Sequence, residues 1–346
     1  MRRRSFLYHL LSLALLVLSV NNMFAQIEEA PKARDFELPE TRVLRAAYLQ
    51  EGDSVAVISI SSEVEESEAK VKERVKVLEE WGFKVKLGKH LFDTDDGWFS
   101  GSDLQRAADL QDAINNKNIK AIIFYRGGYG AVRVVDMIDF EPLSRYPKWL
   151  VGYSDITVLH SALYGWGIET IHGQMPSKFL TLDKEEDVSA KGLYFALTGQ
   201  LKGYVFPTSP YSIVGEVEGR IVGGNLRVLS YINGSDFDID TEGVILFIEE
   251  VAEPISVVDQ MMRELKNSGK LSKVKGIIFG HLTYIKLQTR WGSDVYSLMR
   301  EYVDGLNVPV LFEFPAGHEL PNRPIFLGRK AKLKIGYKYS ELKFLE

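Results

Sequence analysis

Two stretches carry residue types whose spacing fits nucleophilic chemistry. The first is Leu150-Val151-Gly152-Tyr153-Ser154-Asp155, where an apolar run meets a glycine and then a serine. Ile156, Leu159 and Leu163 follow at helical spacing, so Ser154 falls on a strand-to-helix turn. A serine there is held up into a cleft, with the N–H groups of the next helix around it, as in a nucleophile elbow. Ile156 stands where that motif would carry its second glycine. The same spacing also suits a helix cap made by Ser154 or Asp155. The second stretch is Arg126-Gly127-Gly128-Tyr129-Gly130, after the apolar run Ala121–Tyr125. Its glycines expose backbone N–H groups that can hold a phosphate or an oxyanion, or they form a plain tight turn. The loop is neither a Walker A sequence nor a full G-x-G-x-x-G.

A hydroxyl needs a base to become a nucleophile. Among the histidines, His160 lies six residues past Ser154 on the same helix and reads as structural. His172 in Ile-His-Gly-Gln has a place in a cleft wall, His281 follows the strand Ile277–Gly280, and His318 sits in the turn Pro315-Ala316-Gly317-His318-Glu319. Glu249 and Glu250 end the apolar strand Ile245–Ile248, where a carboxylate can orient an imidazole or simply face solvent. Residue types alone leave that choice open. The chain has no cysteine and no His-Glu-x-x-His, so no zinc site is expected.

These residues need elements to position them. From Ser54 onward strands and helices alternate: a strand at Val55–Ile58, a helix face through Val64, Val71, Val75 and Leu78, then strands at Phe83–Val85, Ala121–Tyr125 and Trp149–Val151. Continuous apolar strands in such alternation predict a parallel sheet covered on both faces. In open sheets of that kind ligands bind at the carboxyl ends of strands, which puts both loops at one site. Past Val214 the pattern predicts shorter, partly alternating strands mixed with helices over 224–232, 255–267 and 293–304, a second α+β domain.

The 346 residues, 45% hydrophobic and 26% charged, suit one large or two medium domains. A formal charge of −5, with no basic face in the pattern, argues against a nucleic-acid partner. The first residues have the form of a secretory leader: three arginines, an apolar core from Leu10 to Val20, and Ala25 before Gln26. That core is short of the ~20 residues a membrane span needs. An uncleaved anchor is the alternative, because Met23 is larger than the residue usual there. The expectation is an exported, periplasmic protein with no stable membrane insertion once the leader is cut.

Five segments recur in order: RGGYGAVRVVDMID (126–139), GYSDIT (152–157), GGNL (223–226), LFIEE (246–250) and AGHE (316–319). Together they resemble the serine LD-carboxypeptidase family over roughly residues 50–335. The resemblance implies a metal-free, cofactor-free Ser-His-Glu triad, with Ser154 the nucleophile, His318 the base and later the acid, and Glu249 orienting the imidazole. It implies an oxyanion hole from the N–H groups of Asp155 and Gly128. The implied fold is α/β, a flavodoxin-like parallel-sheet domain followed by a smaller, swivelling-type α+β domain, with the site between them and a homodimer as the assembly. The expected organisation is a leader over 1–25, a lead-in over 26–50, the nucleophile domain over 51–180, a linker over 181–210, and a domain over 211–346 carrying Glu249 and His318. The implied reaction releases the terminal D-alanine of a murein tetrapeptide. A microcin-resistance type of peptidase and a non-catalytic muropeptide-binding protein are the alternatives. Two departures from the family pattern are Glu250, where relatives often have aspartate, and Ile58-Ser59-Ile60-Ser61-Ser62 in place of an Ala-Pro-Ser segment.

Overall fold

The computed structural model describes residues 43–179, 187–288 and 291–345. The leader and most of the lead-in lie outside them. Two sheets organise the chain. The first runs β2-β1-β3-β4-β5 in parallel, with β1 at Ser54–Ile58, β2 at Lys84–Leu87, β3 at Ile119–Phe124, β4 at Trp149–Gly152 and β5 at Thr170–His172. This is the flavodoxin-like order expected. β1, β3, β4 and β5 are nearly all apolar and buried because helices cover both faces, whereas the edge strand β2 is Lys-Val-Lys-Leu and has no buried residue. The covering helices are α1 (Glu68–Glu80), α2 (Asp103–Asn115), α3 (Glu141–Arg145) and α4 (Thr157–Gly165). The expected helix through Val64 begins only at Glu68, where Ser67 accepts the Lys70 N–H and caps it. Val64 is left in the preceding loop. After the Gly-rich loop the chain makes two short 3₁₀ turns and the five-residue α3.

The second sheet has seven strands, with β6 at Gly203–Pro207, β7 at Gly215–Asn225, β8 at Ile245–Val251, β9 at Gly276–Thr283, β10 at Val310–Leu311, β12 at Lys330–Ile335 and β13 at Tyr339–Phe344. β7 to β10 are parallel, whereas β7-β12-β13-β6 are antiparallel. The antiparallel part alternates buried and exposed residues, as half-solvated strands do. The remaining helices are α5 (Val188–Leu197), α6 (Leu226–Tyr231), α7 (Ile255–Asn267), α8 (Lys270–Lys273) and α9 (Val295–Val303). Two expectations need correction. The stretch 181–210 is not a bare linker, since from Asp187 on it forms α5 and β6, with Leu193, Ala196 and Leu197 buried. Strands past Val214 are not uniformly short, since β7 has eleven residues.

The two sheets are tied together. β11 (Ile325–Leu327), although late in the chain, pairs antiparallel with β5 and completes the first sheet. α4 packs against β7, and the approach is close. A Cβ on Gly224 would lie 2.4 Å from Thr157 Oγ1, so only glycine fits there. No helix among the described residues is long and apolar enough to cross a membrane.

Candidate active site

Ser154 begins a 3₁₀ turn between β4 and α4, and its φ is 61°. A left-handed conformation costs an L-residue roughly 1–2 kcal/mol, so the surrounding packing has to impose it. Neither Ser154 nor Asp155 caps the following helix through its side chain. The strained turn agrees with the elbow reading rather than the capping one.

The Asp155 side chain has a different task. It is buried, and its Oδ2 accepts from Ser61 Oγ at 2.6 Å and from the Ala131 N–H at 2.8 Å. Its Oδ1 accepts from the Tyr231 phenol Oη–H at 3.3 Å. Burial raises its pKa, while these donors pull the other way. One carboxylate thus joins the loop after β1, the Gly-rich loop, the Ser154 turn and α6. Nothing in the sequence pattern marked this role, beyond an acid beside an apolar run.

The Gly-rich loop lies against Ser154. A Cβ on Gly127 would come 3.1 Å from Ser154 Cβ. Gly128 has φ +121°, and a Cβ there would fall 2.1 Å from Ser62 Oγ. Ser62 in turn accepts the Tyr129 N–H at 3.1 Å. Ser61 and Ser62, which depart from the family pattern, therefore buttress the loop. Buried Arg106 fixes it from below, donating to the carbonyls of Gly130 (3.0 Å) and Ile60. The Gly128 N–H has no protein partner among the described residues. Asp155 is in the first turn after the strand, where backbone N–H groups lack internal partners.

Glu249 and Glu250 do not end the strand in solvent. They lie within β8, between β7 and β9, and both are buried. Successive strand residues face opposite sides, so the two acids serve different places. Glu249 Oε2 is 2.7 Å from His318 Nδ1. Glu250 turns to α6, accepting from the N–H of Arg227 at 2.7 Å and of Val251 at 2.7 Å, and from Asn225 Nδ2 at 3.4 Å. Asn225 caps α6, and its own N–H donates to Thr157 Oγ1 at 3.0 Å. This explains GGNL: it holds α4, the helix after Ser154, against the strand of acids.

His318 is half-buried with the Tyr153 ring edge-on, centroids 5.0 Å apart. Burial lowers its pKa, but the charge and hydrogen bond of Glu249, with the field of Glu250, outweigh that, and the net shift is upward. Ser154, His318, Tyr153, Gly127 and Gly128 line one cavity of about 440 Å³. No hydrogen bond joins Ser154 to His318 in this structure; the cavity brings them together. The other histidines are elsewhere. His172 is fully buried against Phe247 and Tyr153, and does not line the cavity, which corrects the cleft expectation. An apolar shell that seals a ring also pushes its pKa well down. His281 lies within β9 and its Nδ1 accepts the Glu319 N–H at 3.2 Å. His160 is buried against the Gly152 carbonyl at 3.0 Å. Among the described residues no group of three His, Asp or Glu side chains is placed to hold a metal ion.

Fold and site together define a two-domain α/β hydrolytic enzyme. The LD-carboxypeptidase N-terminal domain matches residues 55–173 and the LD-carboxypeptidase C-terminal domain matches 218–333. The chain belongs to the LD-carboxypeptidase family. It is 34% identical to a probable murein peptide carboxypeptidase of Bacillus subtilis, over 84% of this chain and 91% of that protein. Its fold is similar to the muramoyltetrapeptide carboxypeptidase of Oxalobacter formigenes, with TM-score 0.75, 26% identity, and 85% and 99% of the two chains covered. It is equally similar to the microcin C7 self-immunity protein MccF in complex with aspartyl sulfamoyl adenosine, with TM-score 0.76, 26% identity, and 87% and 98% covered.

Proposed function

We propose that this protein hydrolyses the L,D-peptide bond that releases the terminal D-alanine of a murein tetrapeptide, through an acyl-enzyme on Ser154. The observation that carries the reading is His318, bonded to buried Glu249, lining the same cavity as a serine in a strained left-handed turn. The named relatives supply the substrate class.

With Nδ1 bonded to Glu249, the free ring nitrogen of His318 is Nε2. It takes the Ser154 proton as Oγ attacks the carbonyl of the third residue. The oxyanion that forms is held by the N–H groups of Gly128 and Asp155. His318 then gives that proton to the departing amine, and the C–N bond breaks. A water molecule enters, loses a proton to His318, and cleaves the ester, returning Ser154 and the tripeptide. Glu249, bonded to Nδ1, orients the ring and stabilises the imidazolium.

The leader-like start supports export to the periplasm, where muropeptides and the sacculus are accessible. A homodimer is the assembly we propose from the family resemblance, and light scattering tests it. The decisive experiment incubates the protein with a synthetic tetrapeptide, with and without EDTA, beside Ser154→Ala, and follows D-alanine by mass spectrometry. Release that survives EDTA and vanishes in the variant is expected. Likeness to MccF makes a peptidyl-adenylate the competing substrate; its cleavage in place of the tetrapeptide would overturn the proposal.

A further inference from the structure

The cavity beside Ser154 is lined by three cationic side chains, Arg74, Arg126 and Lys178. Two of them are already engaged. Arg74 Nε is 2.8 Å from Glu66 Oε1, and its Nη1 donates to the Phe179 carbonyl at 2.7 Å. Arg126 Nη1 donates to the Glu63 carbonyl at 2.5 Å and to Glu65 Oε1 at 3.1 Å. Those two glutamates, 65 and 66, are also the cavity's acids. Lys178 is different: among the described residues its ammonium meets no carboxylate.

Its backbone is nonetheless held firmly. Lys178 ends the 3₁₀ turn Pro176–Lys178, its N–H donates to the Met175 carbonyl at 2.9 Å, and its own carbonyl accepts from Gln174 Nε2 at 3.3 Å. Ser177 before it donates to the Tyr125 carbonyl at 3.0 Å, and Phe179 after it is buried and bonded by Arg74. A lysine pinned at its root, whose tip meets no carboxylate among the described residues, is a point charge able to take up an anion.

The chemistry says which anion. The amine that leaves in this reaction carries its own carboxylate, whose oxygens lie within about 4 Å of the nitrogen that His318 must protonate. A group that reads this carboxylate therefore has to stand next to His318. Lys178 lines the cavity together with His318, and its charge is among the leading ones that act on that ring.

We propose that Lys178 binds the free α-carboxylate of the departing residue, which makes the site prefer a chain end over an internal bond. The proposal rests on the carboxypeptidase reading above and identifies the residue that enforces it. Two matched substrates test it, a tetrapeptide ending in D-alanine and the same peptide ending in D-alanine amide. The wild-type enzyme is expected to favour the acid by about 10- to 100-fold in kcat/KM, the range of one charge-assisted hydrogen bond. Lys178→Gln should bring that ratio close to one by lowering turnover of the acid, and Lys178→Arg should restore most of it. A ratio that survives in Lys178→Gln, or equal losses on both substrates, overturns the assignment. Calorimetry on Ser154→Ala separates this from a failure of the hydrolase reading. If the wild type cleaves neither peptide, preferential binding of the acid to Ser154→Ala, lost on adding Lys178→Gln, still supports the carboxylate site; equal binding of acid and amide rejects it.

Discussion

Burial alone makes an imidazole harder to protonate, yet at His318 the carboxylate of Glu249 reverses the sign. The ring therefore keeps its proton to a higher pH than the 6.5 of an ordinary histidine. A base must be neutral to act, so kcat/KM should rise with pH along a limb displaced above that value. The charges acting on the ring are Glu249 and Glu250, which raise its pKa, and Lys178, which lowers it. Glu249→Gln removes the largest of the raising effects and leaves burial to dominate. Its kcat should fall by about 10³–10⁴-fold, and the acid limb of the remaining activity should move to lower pH. A pH–rate profile with an unmoved limb would count against Glu249 as the partner of the base. Gly128 allows a second prediction for a single residue. Alanine there meets Ser62 Oγ and an unfavourable φ, so the loop must shift and carry its N–H away from Ser154. We expect Gly128→Ala to lose about 10²–10³-fold in kcat, the range for one oxyanion donor. Full activity would remove Gly128 from the oxyanion hole.

Elements, rather than residues, decide how these groups meet, and the sequence reveals them unevenly. The strand-turn-helix around Ser154 was legible, because an apolar run, a glycine and a 3.6-residue periodicity are local signals. Glu249 and Glu250 were not legible as buried residues. Two adjacent acids after Leu-Phe-Ile look like a strand leaving the core, and only pairing with β7 and β9 on either side keeps them inside. Nor does spacing reveal that the Asp155 side chain joins four segments, since its partners are 24, 76 and 94 residues away. Glu250 shows the energetic consequence. Burial first, and then the like charge of Glu249, push its pKa up to about 7, against three opposing donors. A carboxyl raised above its ordinary 4.5 favours the fold while it is protonated, so its contribution is complete below that pH and is lost as pH rises through about 7. Glu250→Gln should flatten this part of the stability–pH curve. It should also cost about 1–3 kcal/mol, because an amide cannot accept from both the Arg227 and the Val251 N–H groups. Urea unfolding across that pH range measures both effects, and a slope equal to wild type would assign the titration to another group.

At the scale of the whole molecule the proposed triad can work only if the two sheets keep one relative position. That the first sheet is parallel was legible in its strand–helix alternation, whereas its strand order was an expectation of the family resemblance. Its last strand was not legible. β11 is three residues long and reaches β5 across some 150 positions of sequence, a pairing no local pattern announces. Arg329, just after β11, is placed to hold the two sheets together. Its carbonyl accepts the Ile221 N–H of β7 at 3.0 Å, in the second sheet. Its guanidinium stacks 3.5 Å from the Phe326 ring centroid and donates to buried Glu169, beside β5, from Nε at 2.9 Å and Nη2 at 2.8 Å. Arg45 shares the same carboxylate, Nε to Oε2 at 2.9 Å. Removing one partner of a buried ion pair typically costs about 3–5 kcal/mol, and Arg45 remains to limit the loss here to the lower end of that range. Arg329→Met should therefore lower the melting temperature by several degrees, while both sheets still unfold in one transition, because the backbone bonds from residues 328 and 329 to Ile221 of β7 remain. Calorimetry is the measurement. Two resolved transitions in the variant would mean that the domains fold independently and that the distance from Ser154 to His318 is set by a hinge, not by a common core.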